Sequence, residues 1–157
     1  ISAIKDPVSF WQEHSNMLEC PDIIFGGPPC QAFSQAGKQK ALDDERGVLV
    51  FQFIRFVEKL RPKFFIMENL QSINKGQLYH DIIKQMAKLG YNVTSGVLCA
   101  ADYGAPQLRR RMIFLGCRTD LGVVHLPNPT HTESPSLLGL PLYTTVAEAF
   151  EGLPVLT

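Results

Sequence analysis

One cysteine lies in a sequence context that favours nucleophilic chemistry. Cys30 follows a Gly-Gly-Pro-Pro loop (residues 26–29), whose two prolines fix the backbone and carry no amide donor, so the loop should hold the sulfur atom still. Cysteine is the most intrinsically nucleophilic ordinary side chain, and a nearby cation or helix N-terminus would raise its thiolate fraction. An arbitrary cysteine is more often a buried structural thiol, which is the interpretation we adopt for Cys20, Cys99 and Cys117.

An acidic residue and a basic segment could complete such a site. Glu68 follows four apolar residues, so it should lie at the same sheet edge as Cys30 if the two strands are parallel neighbours. A carboxylate there would be partly desolvated, which suits it to hold or deliver a proton. Strand alternation predicts that Gln107, Arg109 and Arg111 share one face. Two guanidiniums on one face suit phosphate contacts or bidentate recognition of a base edge, and an exposed basic strand end is the alternative.

A strand, a helix and a second strand are predicted to position these residues. Residues 22–25 form a short apolar run that ends in the glycine-proline loop, and residues 64–67 form a second run before Glu68. Between them, apolar residues recur at near-helical spacing across residues 47–62, which predicts a helix of about 12 to 14 residues. This order is typical of a crossover between buried parallel strands, with active residues past their carboxyl ends.

The rest of the chain continues an α/β pattern. An amphipathic segment predicts a second helix that closes at Gly90, and residues 93–98 and 112–117 are predicted strands. The connection between these two strands is too short for a helical crossover, so they should pair antiparallel. From about residue 120, prolines with many Thr and Ser residues predict a surface connection, and Thr144 or Thr145 could cap a short helix near the end.

Composition excludes several classes of protein. The 157 residues fit one domain, and no apolar run approaches the roughly 20 residues of a membrane span. Fifteen basic and fifteen acidic residues cancel, so net charge by itself gives no argument for nucleic acid. The widely spaced cysteines and the lack of a secretory signal argue against zinc and disulfides, and for a reducing, cytoplasmic setting. No Walker or dinucleotide-binding loop is present, and a cysteine-histidine hydrolase has no supporting motif.

Three blocks of the sequence resemble signature motifs of the DNA (cytosine-5) methyltransferases. They are Gly-Gly-Pro-Pro-Cys-Gln-Ala-Phe-Ser (26–34), Met-Glu-Asn-Leu (67–70) and Tyr-Gly-Ala-Pro-Gln-Leu-Arg-Arg-Arg (103–111). The resemblance runs from about Asp22 to Pro154 and implies part of a Rossmann-like, S-adenosylmethionine-dependent methyltransferase sheet, with parallel strands and a terminal antiparallel pair. It also implies a partial catalytic domain over residues 1–120 and a connection toward a target-recognition region over residues 121–157.

The resemblance implies a role for each matching residue of the catalytic centre. Cys30 would attack C6 of a flipped-out cytosine, C5 would take the methyl group of S-adenosylmethionine, and loss of the C5 proton would release Cys30. Glu68 would bind and protonate the ring at N3, where charge develops on addition. Arg111 would bind the base near O2 with help from Arg109, and Gln107 would support their loop.

Further contacts to DNA and cofactor are implied in the same way. Residues after the predicted nucleophile would contact DNA, and these are Gln31, Ser34, Lys38 and Arg46. Pro28 and Asn69 would form the wall of the base pocket, while Pro29 and Leu49 would contact S-adenosylmethionine. No metal is implied.

The sequence departs from the family pattern at both ends. The Phe-x-Gly-x-Gly cofactor loop and the target-recognition region are absent, and the chain does not begin with Met, so we expect a fragment or a processed chain. By itself it should bind S-adenosylmethionine weakly or not at all and transfer no methyl group, because missing segments or a partner chain would be needed. The leading hypothesis is part of a bacterial restriction-modification enzyme that methylates double-stranded DNA. The alternatives are an RNA cytosine-5 methyltransferase, a non-catalytic subunit or binding module of a split enzyme, and, least supported, a thiol hydrolase or redox protein.

Overall fold

A computed structural model describes residues 3–29, 48–135 and 139–154. In chain order its helices and strands are α1 (Pro7–Ser15), β1 (Ile23–Gly26), α2 (Val48–Leu60), β2 (Phe64–Leu70), α3 (Gln77–Lys88), β3 (Tyr91–Cys99), β4 (Arg110–Arg118) and α4 (Val146–Phe150). Two 3-10 helices, Gln71–Lys75 and Ala100–Tyr103, follow β2 and β3. The described strands form a sheet in the order β1-β2-β4-β3, and this mixed architecture confirms the predicted α/β class.

The strands β1 and β2 are parallel neighbours, as the strand-helix-strand pattern predicts. Their register pairs Gly26 with Met67, so both strands run toward the same edge of the sheet. The helix α2 has the predicted length, and the chain leaves it at Arg61, which adopts a left-handed backbone with φ 48°. Pro62 follows and cannot continue an α-helix, because it lacks the amide hydrogen and its ring clashes with the preceding turn.

The hydrophobic core lies on one face of this sheet. Phe65 and Met67 occupy alternate positions of β2 and so lie on the same face, and both side chains are almost completely buried. They pack with apolar residues of α2, α3 and β4, among them Val50, Val57, Ile82, Met86 and Phe114. Because full burial of one large apolar side chain is worth about 1.5–3 kcal/mol relative to exposure, this layer is the main force that holds the helices on the strands.

The strand β1 is more exposed than its apolar sequence predicts. Phe25 is 80% exposed and Ile23 is 53% exposed, whereas Ile24 packs against the core. In the parallel register Phe25 pairs with Ile66, which is itself 41% exposed, so these two side chains share the face of the sheet opposite the core. The prediction of a buried strand is therefore wrong for β1. An apolar run reports hydrophobicity, but it does not report whether both faces of the strand are covered.

Two strands have different bounds from those predicted. The strand β2 includes Glu68 and Asn69, so both lie within the end of the strand and not after it. The strand β4 begins only at Arg110, which leaves Gln107 and Arg109 in the preceding loop, where strand alternation does not apply. The predicted antiparallel pairing of β3 and β4 is confirmed, and β4 lies between β2 and β3.

The chain forms two compact units. The first comprises Ile1–Gly96 and Met112–Leu126 and contains the core described above. The second comprises Val97–Arg111 and Pro127–Thr157, that is, the connection between β3 and β4 together with the last part of the chain. The predicted division at residue 120 stays a prediction.

The last helix begins at the predicted cap. Thr145 precedes α4, and its hydroxyl oxygen accepts a hydrogen bond from the backbone N–H of Glu148 at 3.2 Å. The Glu148 carboxylate in turn accepts from the backbone N–H of Thr145 at 2.7 Å, which completes a capping box. This backbone bond from Thr145 holds the pKa of Glu148 below its usual value.

Candidate active site

The loop that precedes Cys30 lies against the carboxyl end of β2. Gly26, the last residue of β1, pairs with Met67. The residue that follows the strand, Gly27, therefore lies beside Glu68. A Cβ placed on Gly27 would be 3.0 Å from Oε2 of Glu68 and 3.7 Å from its backbone oxygen. The Glu68 carboxylate therefore occupies space that is open because residue 27 has no side chain.

Asn69, whose side chain lies on the opposite face of β2 from that of Glu68, forms a hydrogen bond with the same loop. Its side chain is 3% exposed, its Nδ2 donates to the carbonyl oxygen of Pro28 at 3.0 Å, and its Oδ1 accepts from the N–H of Leu70 at 2.8 Å. Removing one partner of a buried hydrogen bond typically costs about 1–3 kcal/mol, because the other group is left unsatisfied. Asn69 thus holds the backbone of the loop at Pro28, and the predicted place of both residues in the pocket wall stays a prediction.

Several predicted site residues lie outside the described part of the chain. They are Cys30, Gln31, Ser34, Lys38 and Arg46. Their roles stay predictions. Pro29, the last described residue before them, and Leu49, just after them, both belong to the first compact unit.

An apolar groove of about 450 Å³ is formed by β1, its loop and α2. Its lining includes Pro29 and Leu49, the two residues predicted to contact the cofactor, together with Phe25, Phe53 and Phe56. Binding sites for small molecules typically measure roughly 300–1,000 Å³, so the groove is of suitable size. The described lining is apolar and fits the adenine ring and aliphatic chain of S-adenosylmethionine. It offers no charged side chain to the cofactor's amino and carboxylate groups.

The predicted arginine segment belongs to the second compact unit. The N–H of Ala100 donates to the carbonyl oxygen of Arg109 at 2.9 Å, which closes the base of the loop between β3 and β4. Within the loop, the N–H of Gln107 donates to Ala105 at 2.7 Å, and that of Arg109 donates to Gln107 at 2.9 Å. Gln107 and Arg109 are exposed, and Arg111 is half-buried at the start of β4. The three residues thus lie in one segment that backbone hydrogen bonds shape.

Sequence reasoning missed a group of polar side chains in the same unit. The Asp102 carboxylate accepts a hydrogen bond from the hydroxyl of Tyr143, 41 residues away in the sequence. The Asp102 carbonyl oxygen accepts from the backbone N–H groups of Thr130 and His131 at 2.8 and 2.9 Å. No periodicity or short motif links positions so far apart, so the sequence held no signal for this group beyond the polar residue types themselves.

The described residues include no cluster of metal ligands, and their three cysteines differ in burial. Within the described ranges no group of three or more His, Cys, Asp or Glu side chains is placed to hold a metal ion. Cys99 and Cys117 are buried, as expected for structural thiols, but Cys20 is exposed, so the expectation of a buried thiol is wrong for it. Among the helices of the described segments, none has the length and apolar character needed to cross a membrane.

The fold is that of the Rossmann-like methyltransferases. The structure superposes on the crystal structure of a candidate DNA modification methyltransferase encoded within an E. coli prophage, with a TM-score of 0.68 and 28% sequence identity. The match covers 94% of this chain and 39% of that one.

The family described as C-5 cytosine-specific DNA methylase matches residues 3–151, and the chain belongs to that family. The Type II methyltransferase M1.HphI of Haemophilus parahaemolyticus is 44% identical over 140 residues, which covers 86% of this chain and 35% of the relative. The Type II methyltransferase M.AquIA of Picosynechococcus is 38% identical over 176 residues, which covers 100% of this chain and 70% of the relative. The chain spans about a third of the length of several curated relatives that it matches. The resemblance carried by the three sequence blocks is therefore confirmed.

Proposed function

We propose that the complete protein, as the cell makes it, transfers a methyl group from S-adenosylmethionine to C5 of cytosine in double-stranded DNA. The setting we propose is restriction-modification in the bacterial cytoplasm. The observation that carries the proposal is the arrangement at the carboxyl ends of β1 and β2, a junction where Gly27 lies against Glu68 and the carbonyl oxygen of Pro28 accepts a hydrogen bond from Asn69. This junction places the backbone that leads into Cys30 beside a carboxylate, which is the combination that cytosine addition chemistry needs.

The proposed reaction begins with nucleophilic addition by Cys30. The thiolate forms a bond to C6 of the flipped-out cytosine, while Glu68 holds a proton at N3 and so stabilises the negative charge that moves into the ring. Electron density gained at C5 forms the new carbon–carbon bond, for which S-adenosylmethionine, when bound, would supply the methyl group from its sulfonium and leave as the neutral thioether. Loss of the C5 proton to water then expels the Cys30 thiolate, and return of the N3 proton to Glu68 restores the aromatic ring. Flipping is required because stacking in a duplex hides the ring face, and it costs a few kcal/mol.

The other predicted residues would bind and orient the substrates. Arg111 would bind the base near O2 and Arg109 would assist it, while Gln107 supports the loop that carries them. Guanidinium groups suit this role because they donate bidentate hydrogen bonds in a fixed plane. The apolar groove that Pro29 and Leu49 share supports their assignment as cofactor contacts. Residues proposed to contact DNA are Gln31, Ser34, Lys38 and Arg46.

The nature of the nucleic acid is tested by the product that the complete protein makes. The complete protein is given radiolabelled S-adenosylmethionine and either duplex DNA or RNA. We expect 5-methylcytosine in the digested DNA and at least about 100-fold less in the RNA, because a site whose polar groups pair with one substrate rejects another that leaves them unpaired. The 157-residue chain alone should show no turnover. Methylation of RNA alone would favour the RNA enzyme instead, and activity that appears only after a second chain is added would favour a split enzyme.

Gly27→Ala is expected to displace the Glu68 carboxylate without damaging the fold. The φ angle of Gly27 is not positive, so alanine is compatible with its backbone, and the added methyl group would lie 3.0 Å from Oε2. A small misplacement of a catalytic group can cost on the order of 100-fold, so we expect methyl transfer by the complete protein to fall about 10- to 100-fold. Steady-state kinetics and a thermal melt of the same preparation measure the two effects.

Gly76→Ala is the matched control for this variant. A Cβ on Gly76 would meet only the backbone oxygen of Ile73 at 3.9 Å, an ordinary contact, and its φ of −114° suits any residue. We expect this change to leave turnover close to that of the unmodified protein, with only a small drop in melting temperature, because Gly76 is the N-cap of α3 and alanine is a poorer cap than glycine. Unchanged turnover in Gly27→Ala would contradict a catalytic Glu68 that depends on this space.

A further inference from the structure

Asp102 is the centre of a hydrogen-bond network that joins two distant segments of the second compact unit. Its carbonyl oxygen accepts from the N–H groups of Thr130 and His131 at 2.8 and 2.9 Å, and its carboxylate accepts from the hydroxyl of Tyr143. The neighbouring hydroxyl of Tyr103 donates to the carbonyl oxygen of Pro127 at 2.9 Å. Both backbone and side-chain bonds therefore hold the 3-10 helix Ala100–Tyr103 against the later part of the chain.

The turn after this 3-10 helix lies directly against His131 in the later part of the chain. Gly104 has a φ of 87°, a conformation that glycine adopts without strain. A Cβ at Gly104 would be 2.8 Å from Cε1 of His131, so the imidazole ring lies directly against the turn where a side chain would otherwise be. The hydroxyl of Thr130 lies 2.9 Å from Nδ1 of the same ring. The contact with His131 therefore depends on glycine at residue 104.

The same turn continues into the segment that carries Gln107 and Arg109. The N–H of Ala105 donates to Ala100 at 3.2 Å, and the N–H of Ala100 donates to Arg109 at 2.9 Å. A shift of the 3-10 helix would thus be passed along backbone hydrogen bonds to both residues. Whatever holds Asp102 in place also holds the beginning of the arginine segment.

The hydrogen bond between Tyr143 and Asp102 is suited to hold the 3-10 helix Ala100–Tyr103 in place. A hydrogen bond to an ionised carboxylate is roughly twice as strong as one between neutral groups. This bond, together with desolvation, raises the pKa of Tyr143 to about 12, so its hydroxyl stays protonated and remains a donor throughout the range in which enzymes are assayed. Both residues are half-buried, which limits competition from water.

We propose that Asp102 and Tyr143 are a pair of positioning residues that hold residues 107–111 in the geometry that binds the target cytosine. The pair ties substrate binding to the chain segment between residues 127 and 143, although neither residue touches the base. This assignment rests on the proposed function, because it gives the arginine segment the task of binding the base.

Tyr143→Phe in the complete protein tests the proposal, since it deletes only the donor. We expect KM for duplex DNA to rise about tenfold, with kcat changed less than about twofold, because binding of the base is impaired and the chemical step is not. The Kd of S-adenosylmethionine should stay unchanged. Asp102→Ala should reproduce the effect, and Asp102→Asn, which keeps an acceptor oxygen, should restore most of the DNA affinity.

Tyr79→Phe is the matched control, since it also deletes one tyrosine hydroxyl, which lies 3.0 Å from Oγ of Ser95 in the first compact unit. It should leave KM for DNA unchanged. Tyr143→Phe should add less than about twofold to KM in an Arg111→Ala background, because the pair acts through that segment. Equal effects of the two tyrosine variants, or full additivity with Arg111→Ala, would overturn the proposal.

The proposed function and the positioning role of Asp102 and Tyr143 can fail separately. If the unmodified protein forms no 5-methylcytosine, the proposed function fails, and the same variants are then compared by their Kd for duplex DNA. A Tyr143→Phe protein that binds DNA as tightly as the unmodified protein would overturn the positioning role in that case as well. If the unmodified protein is active and Tyr143→Phe matches it in KM, only the positioning role fails.

Discussion

Cys30→Ser is expected to abolish the covalent complex that the complete protein forms with duplex DNA carrying 5-fluorocytosine in the presence of S-adenosylmethionine. Fluorine at C5 blocks the final elimination, so the addition product persists and should survive denaturation. A serine hydroxyl is a far weaker nucleophile than a thiolate, because it is not ionised near neutral pH. On ordinary DNA we expect turnover to fall by a factor on the order of 10⁴ or more, as is common when a nucleophile is removed. Denaturing gel electrophoresis reads out the adduct.

Cys20→Ser is the matched control for this substitution. Cys20 is an exposed, unbridged thiol in the first compact unit, so the same sulfur-to-oxygen change there should leave the adduct intact. An adduct of undiminished yield in Cys30→Ser would exclude Cys30 as the attacking group. Loss of the adduct in both variants would instead indicate that substitution of a cysteine harms the protein generally.

The second large effect is expected from Gly116→Ala, which should destabilise the fold. Gly116 lies in β4, and a Cβ there would overlap the ring of Phe65 on the neighbouring strand β2. That ring is 1% exposed and is held by edge contacts with Phe53 and Tyr91, at centroid distances of 6.1 and 5.5 Å, so it cannot swing aside. Overpacking of a core costs typically 1–3 kcal/mol, and we expect the free energy of unfolding to drop by about 3 kcal/mol. Urea titration followed by circular dichroism measures it.

A second substitution separates steric overlap from a general intolerance of β4. Phe65→Leu replaces the aromatic ring by a smaller branched side chain and should by itself destabilise the protein, because it leaves a cavity. Combined with Gly116→Ala, it should make the double variant more stable than Gly116→Ala alone, since the added methyl group then has space. A Gly116→Ala protein as stable as the unmodified one would contradict the close approach of these two strands.

The amino-acid sequence by itself predicted most of the helices and strands after α1, although not all of their bounds. Apolar residues at helical spacing predicted α2 almost to the residue, and the order of strand, helix and strand predicted that β1 and β2 run parallel. Parallel strands end at one edge, so the alignment of the loop before Cys30 with Glu68 was already implied. A helix cap at Thr144 or Thr145 was also predicted, and the structure shows it as the capping box of Thr145 and Glu148. The helix and its cap depend on residues close together in the chain, so local patterns predict them, whereas the parallel pairing of β1 and β2 follows from the order of the elements.

The tertiary structure decided the features that depend on residues far apart. The exposure of Phe25, the bond from Asn69 to Pro28 and the pairing of Asp102 with Tyr143 all depend on which segments become neighbours. A local pattern carries no information on a partner 41 residues away, because hydrogen bonding depends on distance in space. For the same reason, sequence spacing misplaced Gln107 and Arg109 on a strand. The loop that carries them is shaped by its own backbone hydrogen bonds and by contacts with the later part of the chain.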